Sequence, residues 1–112
     1  MKDDRLYLVH VRECIIRILE FTADGKDAFF ADRKTQDAVL RNLHTLSESI
    51  QRVSPGLKVD YPTLKWREIA AFRNVIVHDY LGIDLDQIWD IIERDLPVLK
   101  TEVETILKKL ES

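Results

Sequence analysis

One cysteine in 112 residues excludes an internal disulfide and a cysteine-built metal cluster. Cys14 falls within an apolar helical stripe, which makes it a small core residue and assigns it no redox role. Three glycines and three prolines, none in a Gly/Ser-rich tract, leave no candidate linker between domains. No repeat or low-complexity segment is present either, so one domain spanning 1–112 is expected. Apolar runs extend only a few residues, and the N-terminal MKDDRLY lacks the charged-then-apolar layout of an export signal. The expectation is a cytoplasmic chain with no membrane partner. A net charge of only −3 argues against broad, nonspecific nucleic-acid binding.

What is present is a hydrophobic content of 46%, enough for one core, arranged at helical spacing. From about Asp3 to Ala23, Leu8, Val11, Ile15, Ile18 and Thr22 recur three or four apart, and the helix stops near Asp24-Gly25. Residues 26–31 (KDAFFA) suit one helical turn that plugs Phe29 and Phe30 into the core. Asp32 is placed to cap a second long helix from Arg33 to about Val53, marked by Val39, Leu43, Leu46, Ile50 and Val53. Ser54-Pro55-Gly56 ends it and predicts a loop through Tyr61-Pro62.

Thr63 can cap a third helix running to Leu81 and stopping at Gly82. The run from Asp84 to Gln87 reads as a capping box opening a last helix, which carries an apolar stripe from Leu85 to Leu110 and a kink at Pro97. With no convincing strand, the fold class is all-α, an antiparallel bundle of four to five helices.

Charge is uneven along this frame. Residues 33–73 hold eight Lys/Arg against four Asp/Glu, and residues 74–112 hold four against nine. A basic middle precedes an acidic end. Lys34, Arg41, Arg52, Lys58, Lys65 and Arg67 could guide a polyanion or serve simply as solubilising charge, and the acidic last helix could be a solvated face or a dock for a basic partner.

The stretch RNVIVHDY, Arg73 to Tyr80, contains the chemistry. On a continuous helix at about 100° per residue, Trp66, Ile69, Ala70, Ile76, Val77 and Tyr80 all fall within about 60° of Arg73, while Asn74 and His78 lie at about 100° and 140°. Arg73 is thereby expected at the centre of an apolar arc. A guanidinium there needs a carboxylate partner such as Glu48, an opening onto a cleft, or a second subunit. Its Cβ should lie about 10 Å from that of His78, so a two-fold-related copy of the helix would make their convergence easier.

Histidine can exchange a proton near neutral pH, and arginine can clamp phosphate oxygens as charge accumulates on phosphorus. Together they suffice for RNA cleavage with the RNA 2′-hydroxyl as nucleophile and no metal or cofactor. Asn74 could orient the imidazole or touch phosphate, and Tyr80 could contact phosphate or stack on a base. By spacing alone, the alternative of an ion-paired Arg73 and an ordinary His78 stays open.

Larger pieces resemble a known family. Trp66-Arg67-Glu68-Ile69, Ala71-Phe72-Arg73-Asn74, Val77-His78-Asp79-Tyr80, Gly82-Ile83-Asp84-Leu85 with Trp89, and Asp95-Leu96-Pro97 with Leu99 follow in the order found in HEPN domains, specifically the HepT-like toxins of prokaryotic nucleotidyltransferase/HEPN toxin–antitoxin pairs. The resemblance implies a helical homodimer with an endoribonuclease centre of Arg73 and His78 at the dimer cleft. It further implies a type VII-like pairing in which a cognate minimal nucleotidyltransferase attaches AMP to Tyr80, placing phosphate anions beside Arg73 where RNA phosphate would bind. RNA, tRNA among the candidates, is the implied substrate. Ala71-Phe72 departs from the Gly-Met of many relatives, a change of packing more than of chemistry.

Two other classes compete with this reading. A noncatalytic HEPN module would bind a nucleotidyltransferase or a nucleotide and use Arg73 only to grip phosphate. A helix-turn-helix DNA binder fits poorly, because its last helix would be acidic where cations are wanted. His10 and His44 fall on different helices without ligand spacing, so no metal site is expected. Trp66 and Trp89 read as core or interface aromatics, and Glu48 as a polar residue beside the core stripe, able to pair with Arg73 or orient His78.

Overall fold

The computed structural model describes residues 2–74 and 84–111, and among them every regular element is helical. These elements are α1 (Lys2–Phe21), α2 (Lys26–Ala31), α3 (Arg33–Arg52), α4 (Pro55–Asp60), α5 (Trp66–Ala70), α6 (Leu85–Asp90), a π-helical turn (Ile91–Asp95) and α7 (Leu96–Glu111). Residues 72–74 are again helical after a turn at Ala71. The molecule is an all-α bundle. None of the described helices is long and apolar enough to cross a membrane.

The two long stripes read from the sequence form the core. Leu8, Val11, Cys14, Ile15 and Ile18 of α1 and Val39, Leu43, Leu46 and Ile50 of α3 are fully buried. They join Leu96, Leu99, Val103 and Ile106 of α7 in one cluster. The helices α1 and α3 run antiparallel: Asp4 at the start of α1 meets Ser54 just past the end of α3, and His10 further along α1 meets Ser49. Arg5 near the start of α1 bridges to Glu111 at the end of α7, at 2.9 Å.

Caps and plugs fall largely where local chemistry puts them. Asp32 accepts from the Lys34 backbone N–H at 3.1 Å and from the Thr35 hydroxyl at 2.8 Å, satisfying a donor that the first turn of α3 leaves free. Asp84 does the same for α6 by accepting from Gln87 N–H at 3.1 Å. Phe29 is buried, as expected of residues 26–31, with Phe30 edge-on at 5.8 Å and Trp89 tilted against it at 5.6 Å between ring centroids. Phe30 itself is only partly buried.

Three features differ from the sequence reading. The segment expected as a loop after Ser54 contains α4, because Pro55 occupies the first helical position, where its missing N–H costs nothing, and the Ser54 hydroxyl accepts from Leu57 N–H at 3.3 Å. The third helix does not start at Thr63. It begins at Trp66 with no side-chain cap and is interrupted at Ala71. Its expected end at Leu81-Gly82 lies outside the described residues. Finally, the irregularity expected at Pro97 takes the form of the π turn that precedes it. Leu96 N–H bonds back five residues to Ile91 C=O, which widens the helix where Pro97, the second residue of α7, has no N–H to give. The Trp89 indole N–H, donating to Glu93 Oε2 at 3.1 Å, ties α6 to that turn.

Candidate functional site

The approach to RNVIVHDY is built by α4, the turn after it, and α5. The carbonyl of Tyr61 accepts from the Trp66 indole N–H at 2.9 Å, which pins the turn to the first residue of α5 and fixes the indole. Trp66 is partly buried against the core, and Leu64 and Ile69 on either side are buried. Phe72 is also buried, at 7% exposure. The buried face of this segment therefore passes through Ile69 and Phe72, three residues apart as helical neighbours should be.

That phase overturns one expectation. Arg73 is exposed, not centred on a buried arc, and Asn74 beside it is exposed as well. Were the helix continuous, a face centred between Ile69 and Phe72 would lie about 70° from Arg73. The alternating aliphatics further along the sequence had pulled the estimated arc toward the arginine. Ala71 N–H still bonds to Arg67 C=O at 3.0 Å, whereas Asn74 N–H bonds only three residues back, to Ala71 C=O at 2.9 Å, so the turn is tightened just ahead of Arg73.

The proposed carboxylate partner is also elsewhere. Glu48 lies 3.5 Å from His44 Nδ1, one turn away on α3, with both side chains about two-fifths exposed. Among the described residues Arg73 forms no ion pair. Its charge faces solvent, where no desolvation cost demands a partner. His78 and Tyr80 lie outside the described residues.

Cations accompany Arg73. Lys58, Lys65 and Arg67, together with Pro62, Leu64, Trp66, Glu68 and Ala70, line an open groove of about 540 Å³. Lys58 Nζ donates to the Gln51 carbonyl at 3.5 Å, and among the described residues none of the three cations pairs with a carboxylate. Among the described residues, Glu68 is the only acid on the groove wall. Of the six basic residues singled out in the sequence, these three converge, whereas Lys34, Arg41 and Arg52 are on α3 and do not line this groove. Their convergence depends on the path of the chain through α4, which carries Lys58 to the groove, and spacing in the sequence does not reveal it.

On its other side α5 meets the π turn and α7 across a second cavity of about 320 Å³, where Phe72 and Ile69 face Val98 and Leu99, rimmed by Arg94 and Asp95. Among the described residues no group of three or more His, Cys, Asp and Glu side chains comes together as a metal site; His10 instead meets the Ser49 hydroxyl at 3.3 Å. Burial pushes the Cys14 thiol above its ordinary pKa, against a smaller opposite pull from Arg17, so it is a poor nucleophile.

The sequence profile of the family described as "Ribonuclease HepT-like" matches residues 11–106. This chain belongs to the HepT-like ribonuclease family. A Methanocaldococcus jannaschii protein named "Gamma-glutamylcyclotransferase and putative RNase" is 34% identical over 98% of this chain, which spans half the length of that relative. A second protein from the same organism, named "Putative RNase", is 35% identical over 98% of this chain and 92% of its own length. A Thermococcus cleftensis protein named "Probable ribonuclease HepT" is 35% identical over 91% of this chain and 94% of its own. No solved structure matches the chain.

Proposed function

We propose that this protein is a metal-independent endoribonuclease in which Arg73 and His78 act on the RNA phosphodiester at a homodimer cleft. The observation that carries the reading is Arg73 itself: exposed, outside any ion pair among the described residues, and directly after a groove lined by three cations. An arginine buried against a carboxylate would have argued for a structural role. Family membership and the names of its relatives support RNA as the substrate class.

In the proposed reaction the RNA 2′-oxygen attacks phosphorus and forms a new P–O bond, and its proton passes to a base, the role assigned to His78. The P–O5′ bond breaks, and the departing 5′-oxygen takes up a proton, leaving a 2′,3′-cyclic phosphate on the upstream fragment. Arg73 holds the nonbridging oxygens while phosphorus is five-coordinate, a preorganised charge whose removal costs about 10²–10³-fold in rate at comparable sites. Asn74 orients the imidazole or the phosphate, and Tyr80 contacts the substrate.

The regulatory part of the proposal makes the protein the toxin of a pair. A nucleotidyltransferase partner transfers AMP from ATP to the Tyr80 hydroxyl with release of pyrophosphate, and the added phosphate competes for Arg73. Intact-mass measurement after production with and without a minimal nucleotidyltransferase tests this, with added AMP and loss of RNA cleavage expected together. Unchanged mass in the presence of an active partner sinks the regulatory part, while cleavage by the unmodified protein judges the catalytic part separately.

A further inference from the structure

We infer that the groove between α4 and α5 is the track for single-stranded RNA entering the reaction centre, with Lys58, Lys65 and Arg67 holding successive backbone phosphates and Trp66 forming its apolar wall. This rests on the ribonuclease reading above and adds to it the path of the substrate. The groove ends at Ala70, three residues before Arg73. Arg67, the last cation of the groove, precedes Arg73 by six residues of chain, at most ~21 Å, so a phosphate held at Arg67 lies within a few nucleotides of one held by Arg73.

Charge is the first argument. The whole protein is acidic, at −3, yet the groove gathers three Lys/Arg against one Glu, and among the described residues none of those cations is neutralised by an ion pair. Lys65 and Arg67 are exposed, and Lys58 is half-buried, its ammonium 3.5 Å from the Gln51 carbonyl at the end of α3. Glu68 repels phosphate at one point on the wall, which keeps the contact moderate and limits it to the cationic side.

Shape is the second argument. The groove is open, and its volume of about 540 Å³ lies within the range of small-ligand sites, enough for a short piece of an extended strand. The Trp66 indole cannot swing away because its N–H is committed to Tyr61 C=O. A fixed aromatic surface beside a line of cations suits single-stranded nucleic acid, whose bases or riboses can lie on the ring while phosphates follow the charge. A purely acidic chain such as polyglutamate would use the cations but offer the indole no ring to stack on it.

The test uses the full chain and a single-stranded 2′-O-methyl RNA, which cannot be cleaved because the nucleophilic hydroxyl is blocked. Binding is followed by fluorescence anisotropy across a salt series for the parent and for a variant carrying Lys58→Gln, Lys65→Gln and Arg67→Gln. Each phosphate contact contributes ~0.7 to the slope of log affinity against log salt for single strands, so losing three should flatten the slope by ~2 and weaken binding ~100-fold at 0.1 M salt. Arg67→Gln alone should flatten it by ~0.7, and Lys34→Gln, exposed at the start of α3 and so at the opposite end of that helix from α4, should leave it unchanged. Circular dichroism checks that the variants keep the parent fold. An unchanged slope in the folded triple variant overturns the groove assignment, as does equal displacement of the RNA by polyglutamate at matched charge, which would mark an acidic-protein dock. The ribonuclease reading is judged separately, by whether the parent cleaves ordinary RNA and Arg73→Ala does not.

Discussion

Removing the Asp4 carboxylate should be among the more damaging single changes to this fold, although it lies far from Arg73 in sequence. Asp4 is 3% exposed. Its Oδ1 accepts from Ser54 N–H at 2.8 Å and its Oδ2 from the Ser54 hydroxyl at 2.6 Å, across 50 residues of sequence. The same hydroxyl oxygen accepts from Leu57 N–H and so caps α4, the helix that carries Lys58. One buried carboxylate thus ties the start of α1 to the corner between α3 and α4.

Hydrogen bonds to a charged group contribute about 1.5–3 kcal/mol each, and two bonds made to one residue are less than additive, so Asp4→Ala should cost ~3 kcal/mol. At about 2.1 cal/mol/K per residue of unfolding entropy, that is a fall in Tm of ~13 °C for a chain of this length. Asp4→Asn keeps an acceptor oxygen but sets an amide N–H₂ against the second donor, so it should cost ~1–2 kcal/mol. Urea unfolding of the single variants, of Ser54→Ala, and of the Asp4→Ala/Ser54→Ala pair closes a double-mutant cycle, with an expected coupling of ~1–3 kcal/mol. A cost for Asp4→Ala below ~1 kcal/mol together with coupling near zero would refute the reasoning.

Two further outcomes follow from titrating groups. The Thr35 hydroxyl bonded to Asp32, more than the neighbouring backbone N–H groups, lowers the carboxyl pKa below its usual value, so Asp32 contributes stability that is complete above the ordinary carboxylate pKa and disappears as pH falls through the lower folded value. Thr35→Ala should move the Asp32 pKa upward toward the ordinary value, read by carboxyl NMR titration, and an unmoved pKa contradicts the cap geometry. Cys14, fully buried and with its pKa raised, should react with a disulfide reagent at mildly alkaline pH at least ~100-fold more slowly in the folded protein than in urea; equal rates would place the thiol at the surface.

Much of this architecture is legible in the sequence because it is decided locally. The periodic stripes of α1 and α3 and the caps Asp32 and Asp84 each depend on residues within a turn or two of one another, and all four lie where spacing puts them. What escapes the sequence is decided at a distance. The helix α4 is only six residues long, too short for periodicity, and it is held by Asp4 from α1 and by burial of Leu57. The π turn answers a missing donor at Pro97, but its position depends on how Ile91, Ile92 and Leu96 reach the core.

The site was legible as a set of residues and less so as a geometry. The ordered motifs from Trp66 to Leu99 identified the family, and the profile match over residues 11–106 agrees. The helical wheel centred the apolar arc on Arg73 because it assumed one unbroken helix; the turn at Ala71 and the buried Ile69–Phe72 face shift that centre and leave Arg73 exposed in the single chain. Phe72, buried three residues after Ile69, is one of the residues that fixes this phase. Lys58, Lys65 and Arg67 were individually visible as cations, but only the path of the chain through α4 makes them neighbours.

The central claim, RNA cleavage by Arg73 and His78 without a metal, is tested most directly by the rate of cleavage of single-stranded RNA in excess EDTA by AMP-free protein. The account predicts cleavage by the parent with a 2′,3′-cyclic phosphate product, and a loss of at least ~100-fold in both Arg73→Ala and His78→Ala with the circular dichroism spectrum unchanged. A His78→Ala protein that cleaves as fast as the parent, or parent activity that vanishes in EDTA and returns with a divalent ion, would contradict it.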